Sequence, residues 1–128
     1  MRTKIKIFTE SAGEVAGEID DSLNPGTAEK IVSNLPFTSS ARLWGDEIYF
    51  DVPISIGEEQ TQVEVEVGDL AFWPAGNCFC IFFGRTPAST SEKPRAASAV
   101  NVFGRITDDP VIFEKVGNGE TVKIELDS

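Results

Sequence analysis

The chain has 128 residues, eleven basic against twenty-one acidic, a formal net charge of −10 and no histidine. This length fits one domain, residues 1–128, and its apolar fraction of 41% and charged fraction of 25% are those of a soluble globular protein. The acidity argues against free-standing nucleic-acid binding and anionic-membrane binding, which both need a cationic surface; lack of histidine removes Ser-His-Asp and Cys-His arrangements and the commonest metal ligand.

Most of the chain alternates with a period of two, the pattern of half-buried strands. MRTKIKIFTE reads as a strand with Ile5 and Ile7 inward. It has no apolar h-region and no run approaches the roughly 18–20 residues of a membrane span, so cytoplasmic residence is expected. A turn at Glu10–Gly13 leads to a second strand carrying Val15, Gly17 and Ile19 on one face, completing a hairpin. Asn24-Pro25 supplies a capping side chain and a proline at the first helical position. Ala28, Ile31, Val32 and Leu35 then form a stripe at helical spacing, stopped by Pro36.

Strands resume from Ser39 to Trp44, turn at Gly45-Asp46, and continue with Ile48, Phe50 and Val52 on one face. Pro53–Gln62 reads as a loop. Val63, Val65 and Val67 alternate with Glu64 and Glu66, as on an edge strand with charges outside. Leu70–Trp73 and Cys78–Phe83, joined by Trp73-Pro74-Ala75-Gly76, are apolar on both faces, as suits the wall of a closed β-barrel. Arg85–Ala99 reads as a long surface loop or mobile cover. Ser98–Ile106 is a strand, Asp108-Asp109-Pro110 caps a short helix through Val116, and Val122, Ile124 and Leu126 form a last strand pairing with the first.

Chemistry-bearing residues are sparse. Cys78 and Cys80 share one strand face, a poor geometry for a mutual disulfide, and without histidine they are too few for a metal site. They read as buried structural thiols. Asp20-Asp21, Glu58-Glu59 and Asp108-Asp109 fall in turns or caps, and no phosphate-binding glycine loop is present. The better lead is the aromatic surplus of Trp44, Tyr49, Trp73, Phe82, Phe83 and Phe103, which cannot all share one interior with the aliphatic strand faces. Some of these rings should line a rim or groove, where a peptide or small apolar ligand docks.

The strings TAEKIVSNLPF, WGDEIYF, GDLAFWPAG, CFCIFFGRTP, VNVFGRI and DDPVIFEKV, in this order, resemble the cyclophilin-like β-barrels, most closely a small prokaryotic branch without settled function. The resemblance implies a closed eight-stranded antiparallel barrel capped by one or two short helices, with a groove on one outer sheet face. By this resemblance Arg42 corresponds to the arginine that polarises the proline amide in the isomerases, and Phe83 to the phenylalanine that floors their proline pocket. The departures are as informative. The isomerase histidine would fall at Val100, the glutamine position lies within Ile48-Tyr49-Phe50-Asp51, and the tryptophan loop is replaced by a segment without aromatic residues. The expectation is a non-catalytic module, monomeric or weakly self-associating, that needs no cofactor or metal and binds its ligand through Arg42, Trp44, Trp73 and Phe83. The alternative is a reduced peptidyl-prolyl isomerase relying on Arg42.

Overall fold

A computed structural model of the chain describes residues 2–127. In chain order the elements are β1 (Arg2–Thr9), β2 (Gly13–Asp20), α1 (Pro25–Asn34), β3 (Phe37–Ser40), β4 (Arg42–Leu43), β5 (Glu47–Asp51), β6 (Gln62–Glu64), β7 (Asp69–Trp73), β8 (Cys78–Phe82), β9 (Arg95–Ile106), a 3-10 helix (Pro110–Lys115) and β10 (Thr121–Leu126). The strands pair in the order β3-β10-β1-β2-β9-β7-β8-β5-β4, with β6 attached to β9. Every pairing is antiparallel, including that of the first and last strands, which sets Ile7 opposite Ile124.

The expected closed, eight-stranded barrel is not confirmed: the strands form a ten-stranded antiparallel sheet that no ladder closes among the described residues. Its terminal strands β3 and β4 are consecutive in the chain, separated by Ala41 alone, and no ladder joins them among the described residues. A ladder between them is not expected, because they are successive parts of one segment, β3 pairing with β10 and β4 with β5. The corner is held from the side instead: Ala41 N donates to Glu120 O at 2.8 Å and Gly119 N donates to Ala41 O at 2.7 Å.

Alternation on the strands fills the interior with Ile5, Ile7, Ile48, Phe50, Phe79, Ile81, Val122 and Ile124, all fully or almost fully buried. Phe50 stacks on Phe79 at 5.0 Å between centroids, and Phe103 meets Phe79 edge-on at 5.1 Å. Helix α1 adds Ala28 and Ile31 from its apolar stripe, with Val32 and Leu35 at the margin.

Asn24 stands at the N-cap of α1, but its side chain makes no capping bond there. It is fully buried, and its amide accepts from Gln60 N at 2.8 Å and donates to Val102 O at 2.8 Å, tying the loop before β6 to β9. The cap comes from Glu59, whose carboxylate accepts from Gly26 N at 3.1 Å, Thr27 N at 2.7 Å and Thr27 Oγ1 at 2.6 Å. Burial opposes its ionisation, yet these bonds to Thr27 and Gly26 hold its pKa below the ordinary value. A full charge at the helix N-terminus is a stronger partner for its free N–H groups than a neutral amide.

The segment between β8 and β9 is shorter than expected because Arg95–Ala99 joins β9. The remainder is tied in place rather than free: Thr86 Oγ1 donates to Arg95 O at 2.5 Å, and Ser89 Oγ donates to Lys93 O at 2.8 Å. Strand β6 is likewise shorter than its valine pattern predicts. A register shift between Gln62 and Glu64 breaks the alternation, burying Val65 and leaving Val67 half exposed.

Strand β9 carries a bulge at Phe103, where Leu70 pairs with Gly104 and Ala71 with Val102. The extra residue lets Phe103 and Ile106 both face the interior although they lie three apart. It also presses Gly104 against β2, where a Cβ would collide with Glu18 O and lie 3.1 Å from Ile19 Cα. Backbone cannot yield there, so Gly104→Ala is expected to lower stability by about 1–3 kcal/mol in chemical denaturation. An unchanged midpoint would contradict this packing.

Candidate functional site

Strand β8 is buried along its whole length. Phe79 and Ile81 face the interior, whereas Cys78, Cys80 and Phe82 face outward into a second apolar layer with Ala71 of β7 and Ala96, Val100 and Val102 of β9. Tyr49 and Trp73 pack on that layer. A groove of about 200 Å³ opens over it, lined by Trp44, Glu47, Tyr49, Trp73, Ala96, Ala97 and Val100.

Local backbone geometry sets the groove walls. Strands β4 and β5 are joined by the tight turn Trp44–Glu47, in which Trp44 N donates to Glu47 O at 2.9 Å and Glu47 N donates to Trp44 O at 3.2 Å. This reciprocal pair brings the Trp44 and Glu47 backbones together at one end of the groove. Gly45 makes the turn possible, with φ of +60° and Thr86 Cα only 2.9 Å from where a Cβ would stand. On the far wall Trp73 meets Tyr49 edge-on, centroids 6.5 Å apart and planes at 86°. Trp73 Nε1 donates to Ser98 Oγ at 2.6 Å, which fixes the indole against β9.

Glu47 is the unexpected member. It is 6% exposed, and no salt bridge reaches it among the described residues. Burial pushes its carboxyl up to about 7, partly offset by a hydrogen bond with the Cys80 thiol. That thiol is itself raised well above its usual range by burial and by the neighbouring carboxyl. Cys78 is also raised, to about 11, mainly by burial, so neither sulfur is a ready nucleophile.

Of the four residues singled out from the sequence, Trp44 and Trp73 line the groove. Arg42 stands beside it on the same outer face, its Cζ 4.7 Å from the Tyr49 ring centroid. Its charge is committed to Asp51, with Nη2–Oδ1 at 2.9 Å and Nη1–Oδ2 at 3.3 Å, and Nη2 also lies 3.4 Å from Cys78 Sγ. The hydrogen bond from Arg42 holds the Asp51 carboxyl below its ordinary pKa. Phe83 is not brought to the groove. Alternation after the outward Phe82 turns it inward, where it packs near Phe113 at 6.3 Å in the interior core.

Sequence reasoning passed over Glu47, and counted Tyr49 among the surplus rings without singling it out as a ligand contact. The signal was present: Glu47, Tyr49 and Asp51 share the face opposite Ile48 and Phe50, and β5 pairs with a strand apolar on both faces. A carboxylate beside such a strand cannot all lie in solvent. No group of three or more metal-ligating side chains is gathered among the described residues, and no helix there is long and apolar enough to cross a membrane.

The buried acid has a measurable consequence. Its pKa is higher in the fold than the ordinary 4.5, so folding binds a proton and stability falls as pH rises between about 4.5 and 7. The penalty is absent below that window and complete above it, at about 3 kcal/mol. In denaturant titrations, the stability of Glu47→Gln relative to wild type should therefore increase by about this amount from pH 4.5 to pH 8. A pH-independent difference would contradict the burial of an ionising carboxyl.

The comparisons with known proteins agree with this architecture. The cyclophilin-like family profile matches residues 3–125. The chain is similar to the solution structure of a hypothetical protein from Archaeoglobus fulgidus, at 38% identity and a TM-score of 0.79, over 97% of this chain and 94% of that one. A search of curated proteins returns no match. With the family pattern spanning almost the whole sheet, the chain belongs to the cyclophilin-like family.

Proposed function

We propose that this protein is a non-catalytic binding module that seats a small, largely apolar ligand or a single peptide side chain in the outer-face groove. The observation that carries this reading is the convergence of Trp44, Tyr49 and Trp73 around a cleft whose floor is already an apolar layer. Rings held by tertiary contacts lose little further freedom on binding, so their contact area is used efficiently. At about 200 Å³ the groove is smaller than the roughly 300–1,000 Å³ of sites that enclose drug-sized molecules, and suits one head group or side chain.

The isomerase alternative has weaker support. Amide rotation is accelerated by a donor that weakens C–N resonance, and the Arg42 guanidinium is already engaged by Asp51. Val100, where the resemblance places the isomerase histidine, contributes only an aliphatic wall. A protease-coupled assay on proline peptides should give the buffer rate for wild type. Acceleration that disappears in Arg42→Ala would overturn the non-catalytic reading.

Binding itself is tested by titrating neutral aromatic and aliphatic fragments and short peptides while following tryptophan emission and the Trp44 and Trp73 indole N–H resonances. At least one probe should shift both residues. Ala97→Trp, which places a bulky ring on an exposed lining position, should weaken that binding about tenfold or more. Unmoved indole signals across the panel, or undiminished affinity in Ala97→Trp, would count against the groove.

A further inference from the structure

Resting on that reading, we infer that the groove's occupant is an organic cation, an alkylammonium group seated among Trp44, Tyr49 and Trp73 with its charge directed to Glu47. Two features point the same way. Aromatic faces attract cations through the ring quadrupole, most strongly where water is excluded, and Tyr49 already receives the Arg42 guanidinium at 4.7 Å. The second is the carboxyl itself. Buried charges in proteins are paired, whereas Glu47 lies almost fully buried in the groove without a cation among the described residues.

None of the protein's ion pairs among the described residues reaches Glu47. Arg42 is turned to Asp51, Lys93 to Glu66, Lys6 to Glu14, and Arg2 and Arg105 to Glu18. An alkylammonium ligand supplies the missing charge while its carbon atoms meet the rings and the Ala96, Ala97 and Val100 wall. An anion would face both Glu47 and a net charge of −10. A wholly apolar ligand would seal the carboxyl in with the Cys80 thiol as its neighbour and no cation. A metal ion would have one carboxylate among aromatic and aliphatic groups, too few donors to replace its water.

Binding is linked to protons. Glu47 must be ionised to hold the cation, so occupancy drives a proton off and affinity rises with pH. The other groups facing it do not interfere between pH 6 and 8. The Cys80 thiol on β8, raised well above its usual range, stays protonated there, and Trp44, Trp73, Ala96, Ala97 and Val100 carry no titratable group. A group titrating at about 7 is ionised about tenfold more at pH 8 than at pH 6.

The test uses choline, a short peptide carrying trimethyllysine, and 3,3-dimethylbutan-1-ol, the uncharged isostere of choline, each titrated by calorimetry and tryptophan emission. At least one of the two cationic probes should bind at pH 8. Choline alone would indicate a free small molecule, and the peptide alone a protein side chain. The isostere should bind about tenfold more weakly or not at all, the cation's affinity should fall about tenfold at pH 6, and Glu47→Gln should lose the preference for charge while still folding. Isostere binding equal to that of the cation, or unchanged cation affinity in Glu47→Gln, overturns the inference of charge but leaves the groove as a ligand site. Failure of both cationic probes overturns the inference outright, and the neutral panel then decides separately whether the groove binds anything.

Discussion

Strand β8 is covered on both faces, and this constraint organises the rest of the molecule. Phe79 and Ile81 anchor the interior, while Cys78, Cys80 and Phe82 require cover on the outside. A half-exposed strand would have left that outer face to water. Here β9 lays Ala96, Val100 and Val102 over it and the neighbouring sheet, and Tyr49 and Trp73 close from the sides. At roughly 25 cal/mol per Å² of apolar surface removed from water, this second layer stabilises the sheet as a small core of its own. Its small residues matter as much as its large ones, because Ala96 and Ala97 leave room between the rings.

The groove is thus a by-product of two layers meeting imperfectly. The interior is packed by large side chains such as Phe50, Phe79 and Phe103. On the outer face, Trp44 is brought in by the Gly45 turn and Trp73 is fixed by Ser98, so the aromatic walls are set before any ligand arrives. Glu47 departs from this economy. Most of the acidic side chains sit where charge is cheap, at ion pairs such as Asp51 with Arg42 or at the α1 terminus in the case of Glu59. A carboxyl held in a dry layer weakens the fold at neutral pH, and perturbed groups of this kind gather at functional sites.

The period-two runs and the proline-started helix were legible in the sequence, since both are local patterns. Ile5 and Ile7, the hairpin turning at Glu10–Gly13, the 25–34 helix and the doubly apolar β8 all occupy their expected places. What the sequence did not disclose depends on residues far apart. The Glu59 cap reaches α1 from more than thirty positions away, displacing the adjacent Asn24, whose amide is needed to bridge to β9. The number and order of strands follow from which segments pair across the sheet, and the short β6 from a register shift against β9. For the site, Trp44 and Trp73 were visible as surplus rings. Phe83, counted with them and matched by resemblance to a pocket residue, is turned into the interior by the alternation after Phe82. Glu47 was hidden by its acidic neighbourhood, where carboxylates are expected to be solvated.

The central claim is that an ionisable carboxyl is buried in the outer apolar layer without a cationic partner. The most direct measurement is a carbon-13 NMR titration of the Glu47 side-chain carboxyl in the ligand-free protein, assigned by its loss in Glu47→Gln. The account predicts a midpoint at about 7, well separated from the other glutamates. A midpoint near the ordinary 4.5 would mean that Glu47 is solvated or paired, and would contradict both the dry outer layer and the charge-selective groove built on it.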